Sequence, residues 1–256
     1  MNLKERVEKN EILLGTMISE LGCPNLIRMM QTGGFQFVII DGEHGPFDLT
    51  QMAGMVAVGN GIGMPVIIRI PEIDRGFMTK ALDMGADGFL IPMVNTADDA
   101  RQLVEYAKYA PEGKRGISTT RAHTNYNPCG LREYMKSANR RILLMAQIET
   151  KEAVKNVEEI AAVSGIDVLI VGPSDLSSDL GVPGQLDAPV LLECAKKITD
   201  VALKNGKKCG TVSSNVKYLH ACEDMGMSIF SMGSELGMIL NGARENITVF
   251  RKKEPI

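Results

Sequence analysis

Residues 36–46 read Gln36-Phe37-Val38-Ile39-Ile40-Asp41-Gly42-Glu43-His44-Gly45-Pro46. The apolar, largely β-branched run without polar alternation predicts a strand covered on both faces, as in a parallel sheet. It breaks into a glycine-flanked turn carrying two carboxylates and a histidine. The same unit, an apolar strand ending in a polar turn, recurs along the chain. Strands are predicted at 12–18, 36–41, 65–70, 87–93, 142–149, 167–172, 208–213 and 228–233. Stretches with helical spacing lie between them, among them 97–109, 151–162 and 188–205. Gly85-Ala86-Asp87, Ser164-Gly165-Ile166-Asp167 and Asn205-Gly206 read as helix stops just before the next strand.

Eight strand–helix units in 256 residues fit a single α/β domain, 1–256, closed into a (β/α)8 barrel, a fold that takes roughly 250 residues. An open doubly wound sheet would usually carry a glycine-rich phosphate turn, and neither GxGxxG nor GxxxxGK[ST] occurs. Residues 111–140 interrupt the pattern. Rich in Gly, Pro, Arg and Asn and weakly periodic, they are expected to form a long functional or interfacial loop.

Composition excludes several classes of function. With 45% apolar and 23% charged residues the chain reads as a soluble globular protein. A formal charge of -3 with scattered lysines offers no field for a phosphate backbone, so nucleic acid is not an expected partner. The first residues lack a signal-type apolar run, and no segment offers about 18 uninterrupted apolar residues. A cytoplasmic protein without membrane contact is expected. Cys23, Cys129, Cys194, Cys209 and Cys222 are odd in number and form no CxxC pair, which predicts reduced, mostly buried side chains rather than disulfides or a zinc knuckle.

In such a barrel the chemistry lies where strands end. Strand two ends in Asp41-Gly42-Glu43-His44, strand three in Arg69-Ile70-Pro71-Glu72, strand five in Gln147-Ile148-Glu149-Thr150, and strand six in Gly172-Pro173-Ser174-Asp175. Glu149 and Asp175 supply two carboxylates from adjacent strands, which suits a Mg2+ or Mn2+ ion that keeps positions for water and substrate. The structural alternative has Asp175 capping a short helix and Glu149 paired with Lys151 or a barrel arginine. Arg69, after four apolar residues, is expected to point into the mouth, where it could grip a carboxylate or an enolate oxygen, or simply pair with Glu149. His44 is a general acid/base candidate that Asp41, three residues before it, could orient. His123 and His220 are expected in surface or packing roles. No GxSxG elbow is present. An imine mechanism needs a buried lysine at the mouth, and Lys207 and Lys208 precede strand seven at its wrong end.

The blocks Asp41-Gly-Glu-His44-Gly-Pro, Arg69-Ile-Pro, Gln147-Ile-Glu149-Thr and Gly172-Pro-Ser-Asp175-Leu-Ser-Ser-Asp-Leu-Gly181 resemble, in order, the signatures of the HpcH/HpaI aldolase family. The resemblance runs from about Gly15 to Gly242. It implies a barrel of the phosphoenolpyruvate/pyruvate-domain type, a divalent metal (Mg2+, Mn2+ or Co2+) on Glu149 and Asp175, His44 as acid/base and Arg69 at the keto oxygen. Gln147, with Pro173 and Ser174 beside it, would line the 2-keto acid site. The resemblance further implies a second carboxylate near the base, matched here by Asp83, often contributed across a subunit boundary. It also implies a homo-oligomer, a hexamer, in which the last helix, 234–252, is exchanged between subunits. Two segments depart from the family pattern: Ile117-Ser-Thr-Thr-Arg121-Ala-His-Thr-Asn-Tyr126 and Val212-Ser213-Ser214. Both border the aldehyde end, so the aldehyde stays unassigned.

The expected activity is that of a metal-dependent class II aldolase, a carbon–carbon lyase that joins or releases pyruvate, or a close 2-keto acid, and an aldehyde. Two alternatives remain: a citrate-lyase β-like enzyme acting on a thioester, for which no basic cluster marks a coenzyme A channel, and a non-catalytic keto-acid-binding barrel.

Overall fold

The computed structural model describes residues 1–127 and 130–252. Its eight strands are β1 (Leu13–Ile18), β2 (Phe37–Asp41), β3 (Val66–Arg69), β4 (Gly88–Ile91), β5 (Leu143–Ile148), β6 (Val168–Val171), β7 (Lys208–Val212) and β8 (Ile229–Ser234). They pair in sequence order, all parallel, and β8 returns to β1 to close the barrel. The described helices are α1 (Leu3–Glu8), α2 (Pro24–Thr32), α3 (Leu49–Ile62), α4 (Arg75–Asp83), α5 (Ala97–Ala107), α6 (Leu131–Arg141), α7 (Lys151–Lys155), α8 (Val157–Ala162), α9 (Pro173–Asp179), α10 (Pro189–Lys204), α11 (Val216–Asp224) and α12 (Glu235–Lys252). No helix among the described residues is long and apolar enough to cross a membrane.

Alternation along each strand sorts the side chains into two cores. Phe37, Ile39, Ile67, Leu143, Met145, Val168 and Ile170 fill the barrel interior, while Val38, Ile40, Ile68, Leu144 and Leu169 face the helices. Leu3 and Val7 of α1 join the interior cluster. This short helix is tied to the residue preceding β6 by a Lys4–Asp167 ion pair of 2.7 Å, so it plugs the end of the barrel where strands begin. The opposite end, where strands finish, stays free for chemistry.

Three expectations need correction. The segment 111–140 is not all loop: a 3-10 turn covers Ala122–Thr124 and α6 begins at Leu131. Leu131, Tyr134, Met135 and Ala138 have helical spacing, and Tyr134 and Ala138 pack with Tyr109. The polar residues between them obscured that signal. The helix expected over 151–162 is broken at Asn156, whose side chain donates to Asn95 O at 2.9 Å. Among the cysteines only Cys209 and Cys222 are buried; Cys194 is intermediate, Cys23 is exposed, and Cys129 lies outside the described residues.

Candidate active site at the barrel mouth

Asp41, Arg69, Gln147 and Glu149 continue the inward parity of their strands, so strand geometry alone aims them at the mouth. Asp41 and Arg69 are register partners on β2 and β3. Their side chains form a two-pronged ion pair: Arg69 Nε donates to Asp41 Oδ1 at 2.9 Å and Nη2 to Oδ2 at 2.7 Å. Nη1 lies 3.2 Å from Glu43 Oε2. Asp41 engages only two of the guanidinium's N–H groups by hydrogen bonds, which leaves donors for a substrate oxygen. Burial favours the neutral form of Asp41, but the Arg69 contacts and the N–H groups of His44 and Glu43 outweigh it and hold this carboxyl below its usual range.

Glu149 is buried. Its Oε1 accepts the Met93 N–H at 2.7 Å, and its Oε2 is hydrogen-bonded by the Gln147 amide. Met93 has a positive φ of 54°, a costly conformation for a side chain of this kind; it aims the N–H at the carboxylate. Gly172 lies directly against both groups, since a Cβ there would sit 2.4 Å from Glu149 Oε2 and 2.8 Å from Gln147 Nε2. Asp175 stands in the first turn of α9, exposed and making no capping bond. Neither structural alternative for this pair is observed among the described residues: Asp175 does not cap, and Glu149 pairs with no described lysine or arginine within 4 Å. Burial pushes the Glu149 carboxyl above its usual range, the Met93 and Gln147 bonds pull it back, and the charges of Asp175 and Glu43 raise it again.

Among the described residues no three His, Cys, Asp or Glu side chains already converge as a metal cage. The donor set nevertheless fits a hard cation: two carboxylates, one after β5 and one on α9 after β6, whose repulsion a positive charge would relieve, with further positions left to water and substrate. Gln147 Oε1 is buried without a partner, a further polar atom facing a missing neighbour.

His44 is exposed, and Asp41 does not orient its ring. The Asp41 carboxylate is occupied by Arg69 and by the backbone N–H groups of Glu43 and His44, at 3.1 and 3.2 Å. The carboxylate beside the imidazole is instead Glu43, with Oε2 3.8 Å from His44 Nε2. Glu43 sits in the same turn yet was not singled out from sequence. Burial raises its carboxyl, Arg69 and His44 lower it, and Asp41 and Asp175 raise it again. Two acids beside one histidine in a single turn were the available signal. Met93 had none, because its role runs through backbone geometry.

Residues 17–242 match the model of the HpcH/HpaI aldolase/citrate lyase family. The chain belongs to this family. It is 29% identical over 248 residues to the hydroxypyruvate/pyruvate aldolase of Roseovarius nubinhibens, covering 97% of this chain and 96% of that protein. It is 30% identical over 234 residues to the 5-keto-4-deoxy-D-glucarate aldolase of Shigella boydii, covering 91% and 90%. The crystal structure of an HpcH/HpaI aldolase from Desulfitobacterium hafniense superposes with a TM-score of 0.92 at 32% identity, covering 100% of this chain and 98% of that one. Membership of the HpcH/HpaI family makes the chain a carbon–carbon lyase.

Asp83 does not join the mouth of its own HpcH/HpaI barrel. It closes α4, five residues before β4 begins, and so lies at the plugged end. Its Oδ1 accepts from Arg115 Nη2 at 2.7 Å and lies 3.6 Å from the buried His123 ring, which bonds Ser118 O and Tyr134 Oη. His123 thus packs, as expected, and His220 is exposed on α11. Lys207 and Lys108, two lysines whose ammonium groups burial destabilises, Lys108 to about 8, are also at this end and donate to backbone carbonyls. Neither is placed for an imine at the mouth.

Proposed function

We propose that this chain is a divalent-metal-dependent aldolase of the pyruvate-enolate type. It cleaves a 4-hydroxy-2-keto acid to pyruvate, or a close 2-keto acid, and an aldehyde, and catalyses the reverse condensation. The observation that carries this reading is the charge imbalance at the mouth, where Asp41, Glu43, Glu149 and Asp175 surround one cation, Arg69, already committed to Asp41. A Mg2+, Mn2+ or Co2+ ion held by Glu149 and Asp175 would supply Lewis-acid polarisation of the keto acid. Arg69 turns N–H groups that Asp41 leaves unengaged to the keto oxygen, where charge accumulates as the C3–C4 bond breaks. Gln147, Pro173 and Ser174 border the keto acid. His44 takes the proton from the C4 hydroxyl in cleavage and returns it in condensation, with Glu43 beside the ring.

The names of the two aldolase relatives support the reaction class. The exposed apolar residues of α12, among them Ile239, Ile247, Val249 and Phe250, support a homo-oligomer in which this helix leaves the 1–256 domain to pack on another copy, in a hexamer. Asp83 would then serve a neighbour's mouth. Free cysteines suit the cytoplasm.

A lactate-dehydrogenase-coupled assay on 4-hydroxy-2-keto acids, repeated with aldehydes of different charge and length, tests the reading. Pyruvate release that stops on chelation and resumes with added Mg2+ or Mn2+ is expected. Turnover indifferent to chelators, or borohydride trapping of pyruvate on a lysine, would overturn it.

A further inference from the structure

Glu235 opens α12 and is the one buried residue among those described in that helix. Its carboxylate gathers the backbone N–H groups of Ser19 (2.9 Å), Glu20 (2.6 Å) and Leu21 (2.9 Å), together with Ser19 Oγ (3.2 Å). Among the described residues no cation lies within 4 Å of it. Charge-assisted bonds from consecutive amides are strong and directional, so the turn leaving β1 takes its shape from a side chain more than 200 residues away.

That turn continues into Gly22, which leans on the segment after β2. A Cβ on Gly22 would lie 3.2 Å from Phe47 Cδ1 and 3.2 Å from Gln51 Nε2. Phe47 also lies over the histidine-bearing turn, where a Cβ on Gly45 would be 2.7 Å from Phe47 Cε2 and 2.3 Å from Asp41 O. The Phe47 ring therefore sits between the turn fixed by Glu235 and the turn that presents His44. Phe47 is partly buried against the core, so a shift of one turn reaches the other through its ring.

We infer that Glu235 is a positioning residue for the reaction, holding the His44 turn in place through Ser19–Leu21 and Phe47. The inference rests on the acid/base reading of His44. It also links the root of α12 to the chemistry, so whatever holds that helix also steadies the histidine. Glu149 and Asp175 stand across the barrel on the β5 and β6 side, outside this relay.

Glu235→Gln keeps the volume and removes the charge, Glu235→Asp keeps the charge on a shorter arm, and Phe47→Leu cuts the relay beyond the anchor. Each is read by hydrogen exchange at Ser19–Leu21, by the His44 imidazole resonance in a chain with three histidines, by the metal-induced rise in melting temperature, and by kcat and KM. In Glu235→Gln, exchange at the three amides should rise and kcat fall, each by about tenfold, the equivalent of one charge-assisted bond. The His44 resonance should move, while KM for the keto acid and the metal response stay unchanged. Glu235→Asp should recover part of the kcat. Phe47→Leu should move the His44 resonance with exchange at Ser19–Leu21 unaltered. A His44 resonance identical to wild type in both Glu235→Gln and Phe47→Leu would overturn the inference, as would unchanged amide exchange in Glu235→Gln. Exchange and resonance respond whether or not the chain turns over keto acids, so failure of the proposed activity is distinguishable from failure of the relay.

Discussion

The two ends of the barrel both gather charged groups in partly buried surroundings, but they balance them differently. At the plugged end charges find partners within the chain: Asp83 with Arg115, Lys4 with Asp167, and the ammonium groups of Lys108 and Lys207 with backbone carbonyls. At the mouth four carboxylates face one guanidinium. Charge without a partner is costly where it is buried, so the difference separates an end built for stability from the end to which the proposed function assigns a cation and a substrate.

The sharpest way to break this contrast is to lower the acidic excess. Glu149→Gln or Asp175→Asn removes one negative ligand at nearly constant volume. Turnover should fall to background and the metal-induced rise in melting temperature should vanish. The metal-free protein should keep or gain stability, since repulsion is relieved. Melting curves with and without Mg2+ decide it; a weakened metal-free protein that still responds to metal would mean these carboxylates serve the fold.

Asp83 tests whether the plugged end is purely structural. It keeps partial exposure and lines a surface cavity of about 570 Å3 with Lys80, Arg121 and Tyr126. If it serves a second copy, Asp83→Asn and His44→Ala should each be inactive alone, and chains co-refolded in one assembly should regain turnover that neither parent has. Inactive mixtures, with Asp83→Asn merely less stable, would leave Asp83 to Arg115 alone.

Arg69→Lys keeps charge but loses the planar fork that grips Asp41 and still has donors to offer a substrate. A loss of about 100-fold in kcat is expected, comparable to removing an oxyanion donor. Near-normal turnover would confine Arg69 to its ion pair.

The smallest effect is on stability. Asp41 is held below its usual carboxyl range in the folded state, so its ionised form favours folding; that contribution is complete above the ordinary value and is lost as pH falls through the folded one. Asp41→Asn should cost about 2 kcal/mol near neutral pH, as for hydrogen bonds to a charged group. The gap from wild type should close below about pH 4 in urea unfolding measured across pH. A gap independent of pH would show that charge is not its origin.

Strand order, the parity that sends Asp41, Arg69, Gln147 and Glu149 inward, and the strand-end address of the chemistry were legible in the sequence, because a two-residue period and the breaks into polar turns are local properties. The helix at Leu131–Arg141 was legible in principle, through apolar residues at helical spacing. Which acid serves which base was not. The register of β2 against β3 commits Asp41 to Arg69 and leaves Glu43 beside His44. The direction of α4 carries Asp83 to the far end of its own barrel, and closure of β8 on β1 brings Glu235 to the turn after Ile18. These contacts join residues tens to hundreds of positions apart, and only the closed barrel, packed to a fixed register, brings them within hydrogen-bonding reach.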